Sequence, residues 1–371
     1  MICKEKHNVK LVPPEVLRLK ASQKILTFIK DFFVFRLSFE KTNPQPILFE
    51  IDIDIPLAKL QEYLHHNDWL LSRTEEILSL ENPGEGNMNV VLRLTTDRRS
   101  IILKQSRPFV QKYQQIAAPL DRIEVEKLFY EAVKSNVLNA HIPKILGYDS
   151  NHHLLLLEDL GQCEDMVALY QKREIDKKEL QKLISIIGLI HRTEVSHDFP
   201  ENLEMRKLNH QHIFVLPFME DNGFSLDEVQ PGLQELSMPY KKNEQLKKII
   251  EQVGKKYLSE GDTLLHGDYY PGSWMTEKNN LYVIDPEFSF RGFAEFDLGV
   301  MAAHLVMATR KKKYLKQIVT KYDGTVDKIL ISQVAGIEIM RRLIGLAQLP
   351  LDRTIDEKKS LLKKAYKMIT A

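Results

Sequence analysis

Cysteine is almost missing from this 371-residue chain. The two present, Cys3 and Cys163, have no metal-ligand spacing. A disulfide framework is thereby excluded, and the composition suits a reducing compartment, so the cytoplasm is the expected location. An excess of charge is missing too: 52 Lys and Arg face 51 Asp and Glu, a net charge of +1. No whole-chain field recruits nucleic acid or an anionic membrane, and neither is expected as a partner. The basic runs RKKKYLK and DEKKSLLKK are short and read as solvated helix ends. Long apolar runs are also lacking. The longest near the N-terminus, ILTFIKDFFVF, is broken by Lys30 and Asp31. It is too short to span a bilayer and lacks the pattern of a signal peptide. No internal repeat or low-complexity tract occurs.

What is present is the composition of a globular protein, 43% hydrophobic and 28% charged. The length exceeds what one compact core ordinarily fills, so two lobes are expected. Residues 1–45 read as a basic extension ending in the turn-rich KTNPQP. Residues 46–160 read as a small mixed lobe and 161–371 as a larger, mostly helical one. In the small lobe, LAKLQEYL and LLSRTEEILSL have helical spacing and predict two short helices. NPGEGNMN is a turn-rich break, after which NVVLRLTT and IILKQS read as a β-hairpin. LDRIEVEKLFYEAVKSNV predicts a helix capped by Asp121, and IPKILGYDS and HHLLLLEDLG predict two more strands. Past Gly161 the pattern is helical, except around two short apolar strands, each followed by acids.

Those two stretches are LLHGDYYPGSWM, Leu264 to Met275, and VIDPEFSF, Val283 to Phe290. Phosphoryl transfer needs a phosphate cradle and a cation, hard oxygen ligands for metal ions, and a carboxylate for the acceptor hydroxyl. Gly84, Gly86 and Asn87 precede a strand, where glycine lets backbone N–H groups approach phosphate oxygens. By itself, such a turn is common in hairpins. Lys104 ends the next strand and needs a helical carboxylate partner: Glu126, with Glu124 in reserve, since a two-residue offset turns them to different faces. Asp268 follows a strand and could orient a hydroxyl. Asp285 and Glu287 follow another and suit Mg²⁺. Each acid alone would read as a turn or cap residue; the joint order points to a kinase-like site.

Together these residues resemble the superfamily of aminoglycoside phosphotransferases and choline kinases, and within it the methylthioribose kinases. GEGNMNVV is similar to that family's GDGNLNLV, and LKQSRPFV to its LKQALPYV. VIDPEFSFRGFAEFDLG is similar to its VIDPEFAFYGPMGFDIG, and IMRRLIGLA carries its paired arginines. The resemblance runs from about Pro56 to the C-terminus. It implies an α+β, two-lobed protein-kinase-like fold, with an antiparallel sheet in the small lobe. It implies an ATP- and Mg²⁺-dependent kinase acting on a small-molecule hydroxyl, with methylthioribose as the leading acceptor and methionine salvage as the setting. By resemblance, Gly86 and Asn87 cover the phosphates, and Lys104 pairs with Glu126. Glu158 and Leu160 offer backbone groups to adenine. Asp268 and His266 are catalytic; Asp285, Glu287 and Ser273 hold the metal. Arg341 and Arg342 contact the sugar, and a homodimer is implied. The loop HGDYYPGS departs from the family's HGDLHTGS, placing Tyr269, Tyr270 and Pro271 beside the catalytic aspartate, with Tyr270 a candidate acceptor contact. A kinase of another sugar, amino alcohol or aminoglycoside is the alternative within the enzymes. A nucleotide-binding pseudokinase is the alternative outside them.

Overall fold

The computed structural model describes residues 49–84, 88–135, 137–278 and 280–371. The expected phosphate contacts Gly86 and Asn87, and the segment 1–45, lie outside the described residues. The architecture is α+β. An antiparallel five-stranded sheet has the order β1(Ile77–Glu81), β2(Val90–Thr96), β3(Ser100–Gln105), β7(Leu154–Glu158), β6(Ile145–Asp149). The strand β7 shows why the sequence LLLLE is apolar on both faces. Leu154 and Leu156 join Ile51, Leu60, Leu64, Leu92 and Leu94 in the core under helix α1(Leu57–His66). Leu155 and Leu157 face the other way, to Ile123 and Phe129 of helix α2(Arg122–Ala132) and the main core.

Two local expectations need correction. The second helix expected over Leu70–Leu80 is a turn followed by β1, which pairs with β2 from Ile77↔Thr96 to Glu81↔Arg93. Buried Glu75 anchors that turn, 3.2 Å from Arg99 Nε and accepting from the Thr96 hydroxyl at 2.8 Å. Those tertiary bonds override a helical pattern too short to stand alone. Asp121 does sit at the N-cap of α2, but its side chain makes no capping bond there.

The hairpin β4(Phe109–Val110)–β5(Tyr113–Ala117) leaves this sheet. It lays Val110, Ile116 and Ala118 on Met205 and Leu208 of α5(Leu203–His210), clasping the sheet region to the helical region. Most of the rest is helical. Two small sheet pieces interrupt it: β9(Thr263–Leu265) with β12(Phe290–Gly292), and β10(Trp274–Glu277) with β11(Asn280–Val283) and the two-residue β8(Glu164–Asp165). Helix α8(Glu295–Thr309) is buried on every side and packs against α10(Lys328–Ile344), which in turn packs on α11(Ile355–Ile369). Among the described residues no helix is long and apolar enough to cross a membrane.

Candidate active site

The site begins at β3. Lys104, flanked in the sheet by Val91 and Leu155, reaches Glu126 Oε2 at 2.5 Å and Asp285 Oδ1 at 2.7 Å. Glu126 is the helical partner because it points inward and is fully buried, while Glu124 on the adjoining face is exposed. Burial works against the Lys104 ammonium, yet Asp285, Glu126 and Glu287 around it hold its pKa well above the usual lysine value. Burial pushes Glu126 up, and Lys104 pulls it back. Tyr130, one turn along α2, was not singled out from the sequence. Its hydroxyl accepts the Asp285 N–H at 3.2 Å and points back to Glu126 Oε1 at 3.4 Å. The i+4 spacing from Glu126 was the available signal.

Asp285 stands in the left-handed region, with φ +62°. Asp tolerates that region better than most side chains, and such strain collects at working sites. Its carboxylate stays about half exposed toward the cleft, at 48%. Glu287, two residues on, is placed differently. It is buried, its Oε2 accepts from Asn89 Nδ2 at 2.9 Å, and Arg122 Nε lies 3.3 Å away. Arg122 is itself fully buried, donating to Asn89 Oδ1 and to the carbonyls of Arg107 and Met88. Asn89 and Arg122 thus tie the strand after the glycine loop and the start of α2 to the DPE turn. Neither was read from the sequence, where both look like ordinary polar residues. The oxygen donors of Asp285, Glu287 and Ser273 are of the kind that Mg²⁺ accepts. Among the described residues there is no ready-made group of three acidic, His or Cys ligands.

The loop between β9 and β10 carries Asp268. Gly267 has φ +84°, and a Cβ there would sit 2.2 Å from the Phe288 carbonyl oxygen, so no other residue fits this turn. The backbone N–H groups of His266 and Gly267 both donate to Asp297 on α8, at 2.7 and 3.0 Å, and His191 Nε2 donates to the same carboxylate at 3.2 Å. Asp297 is fully buried and went unnoticed in the sequence; its signal was an acid at the head of the apolar run that follows. His266 is expected to be catalytic with Asp268. It is fully buried, its Nδ1 accepts the Asp268 N–H at 3.3 Å, and its Nε2 donates to the Ile284 carbonyl at 3.0 Å. With both nitrogens engaged and its pKa lowered by burial, it braces the two loops and has no free proton site. The Ser273 hydroxyl donates to the Asp268 carbonyl at 2.9 Å, which leaves its lone pairs for a cation. Ser273 also lies beside the DPE turn, its carbonyl accepting the Ile284 N–H at 3.0 Å.

Asp268 faces the arginine pair of α10. Arg342 Nη2 lies 3.9 Å from Asp268 Oδ1. Burial pushes the Asp268 carboxyl up to about 6, against the pull of Arg342 and Arg341. Arg342 sits 5.2 Å over the Tyr270 ring. Tyr270 therefore packs beside the Arg342 guanidinium that faces Asp268. Tyr269 does not: it is fully buried in the core, its hydroxyl donating to the Leu183 carbonyl at 2.8 Å. The doublet that looked like two phenols at the cleft is one at the cleft and one in the core. The expected hinge follows β7, where Asp159 accepts from Arg93 Nε at 2.8 Å and Nη2 at 3.1 Å. The Glu158 N–H is spent on the Lys144 carbonyl at 2.8 Å, and the Leu160 carbonyl accepts the Cys163 thiol at 3.2 Å.

The chain is similar to the methylthioribose kinase of Geobacillus sp. (strain WCH70), with 26% identity over 344 residues, covering 78% of this chain and 84% of that one. It is similar to the methylthioribose kinase of Exiguobacterium sibiricum, with 24% identity over 322 residues, covering 73% and 81%. Among solved structures it resembles LicA in complex with AMP, LicA being a choline kinase of Streptococcus pneumoniae, with a TM-score of 0.50 and 16% identity over 84% of this chain and 98% of that one. That likeness bears on the fold. The profile of the Phosphotransferase enzyme family matches residues 79–329, the span that holds Lys104, Glu126, Asp268 and Asp285. By that match, over more than half its length, the chain belongs to the phosphotransferase enzyme family.

Proposed function

We propose that this protein is an ATP- and Mg²⁺-dependent kinase that phosphorylates 5-methylthioribose at its anomeric hydroxyl. The carrying observation is that Asp268, in the turn after β9, faces Arg342 at 3.9 Å. Two guanidiniums beside the acceptor site repel cationic amino alcohols and aminoglycosides, and they can donate to sugar hydroxyls or to a transferring phosphate. The relatives named methylthioribose kinases support the same acceptor.

In this reading Lys104, steadied by Glu126, binds the nucleotide phosphates, while the Glu158 carbonyl and the Leu160 N–H receive adenine. Asp285, Glu287 and Ser273 would hold Mg²⁺, which neutralises phosphate charge when bound. Asp268 orients the acceptor hydroxyl and takes its proton. With a pKa near 6 it is ionised at neutral pH and a better base than an ordinary aspartate. The acceptor oxygen bonds to the γ-phosphorus, the bond to the β,γ-bridging oxygen breaks, and ADP leaves with that electron pair. Arg341 and Arg342 balance the charge delivered to the acceptor.

A thermal-shift panel tests the acceptor class. With ADP and Mg²⁺ present, methylthioribose should raise Tm, whereas choline and an aminoglycoside should not. Stabilisation by a cationic acceptor alone would overturn the assignment.

A further inference from the structure

Glu338 lies one helical turn before the arginine pair on α10 and is buried. Arg341 Nη1 donates to its Oε2 at 2.9 Å and to Oε1 at 3.1 Å. Arg342 Nε donates to Oε1 at 2.6 Å. His304 Nε2, on α8, reaches Oε1 at 3.2 Å. A carboxylate so held by guanidiniums only accepts, so His304 carries its proton on Nε2, and Nδ1 accepts the Tyr170 hydroxyl at 2.6 Å. Tyr170, His304 and Glu338 form a buried hydrogen-bond chain running to the arginines, with Glu338 as its acceptor end.

Arg342 has two carboxylates within reach. On Glu338 it makes a short charge-assisted hydrogen bond; on Asp268 it stands at 3.9 Å, too far for one. A guanidinium without the first partner would close on the second, since forked pairing with a carboxylate is its strongest geometry. That pairing would occupy the oxygens that receive the acceptor hydroxyl. The ring of Tyr270 lies under Arg342, and His304 packs 5.1 Å from that ring, so the guanidinium is held on its face as well as at its edge.

We propose that Glu338, fixed by His304 and Tyr170, is a positioning residue that holds Arg342 back from Asp268 and aims the arginine pair at the acceptor. The inference rests on Asp268 being the group that receives the acceptor hydroxyl. It assigns work to three buried residues, Glu338, His304 and Tyr170.

Glu338→Gln keeps the side-chain shape and removes the charge, and it is read in two ways. In its crystal structure the gap between Arg342 and Asp268 should close from 3.9 Å to hydrogen-bond distance; a gap unchanged overturns the inference, whatever the enzyme's substrate. In kinetics kcat should fall roughly 100-fold, with acceptor KM changed less and ADP affinity unchanged. In an Arg342→Met background the same substitution should cost less than about 3-fold, because its route through Arg342 is gone; additive losses overturn it. Should Glu338→Gln fold poorly, His304 gives a second route. His304→Gln, which can still donate to Glu338, should retain activity within about 5-fold, while His304→Leu should reproduce the loss in kcat. Equal losses in those two variants would also overturn it. A wild-type protein inactive on every acceptor, but whose Arg342 closes on Asp268 in Glu338→Gln, would refute the role of Asp268 and uphold the positioning.

Discussion

Lys104 Nζ and Glu126 Oε2 meet at 2.5 Å between β3 and α2, both out of contact with water. Breaking one side of a buried pair strands the other, at about 3–5 kcal/mol. Lys104→Met should therefore lower stability by that amount in denaturant titration and abolish nucleotide binding. Adding Glu126→Leu should restore most of the stability, since a buried pair replaced by apolar groups is close to neutral. It should restore none of the binding. Recovery of ADP affinity in the double variant would refute the phosphate role of Lys104.

Asp268 gives a pH dependence of opposite sign for activity and stability. Its carboxyl is pushed up to about 6 from an ordinary 3.8. The folded-state pKa is thus above the unfolded one, so its contribution to stability is full below about 4 and is lost as pH rises through 6. Catalysis needs the ionised form, so kcat should climb over the same window and level off above it. Asp268→Asn should lower kcat by roughly 1000-fold and erase that acid limb, with ADP affinity retained. A limb near pH 6 that persists in any residual activity of the variant would assign it to another group.

Asp297 organises the catalytic loop without touching it from the cleft. Asp297→Ala would leave the N–H groups of His266 and Gly267 buried and unpaired. Each stranded donor costs about 1–3 kcal/mol, so a loss of at least about 2 kcal/mol is expected in a chemical denaturation curve. A change of under about 0.5 kcal/mol would show that the two bonds are not worth what their geometry implies.

Tyr269 supplies the opposite control. Its hydroxyl makes one buried bond, to the Leu183 carbonyl. Tyr269→Phe should cost about 1 kcal/mol of stability and leave kcat and acceptor KM within about 2-fold of wild type. A marked change in acceptor KM would place Tyr269 in the cleft instead.

Much of this was legible in the sequence because the chemistry is concentrated in short runs. HGD and DPE each follow an apolar strand, and helical periodicity shows that Glu126 and Glu124 face different ways, the fold then pairing Glu126 with Lys104. What was hidden depends on residues far apart in the chain. Arg122 and Asn89 acquire meaning only when Glu287 is folded against them, and His304 and Glu338 only when α8 packs on α10. Position in a motif also misled. His266 and Tyr269 flank the catalytic turn in sequence, yet both side chains are buried in the core. The helix expected at Leu70–Leu80 failed for a related reason, since its spacing could not show that β2 offered a strand partner.

The proposed reaction is transfer of the γ-phosphoryl group of ATP to the anomeric hydroxyl of methylthioribose. Its most direct measurement is phosphorus NMR of a reaction containing the protein, ATP, Mg²⁺ and methylthioribose, beside the same reaction with ribose, choline or an aminoglycoside. Stoichiometric ADP and a new phosphomonoester signal coupled to the anomeric proton should form, fastest with methylthioribose. Absence of that signal, or faster phosphorylation of choline or the aminoglycoside, would contradict it.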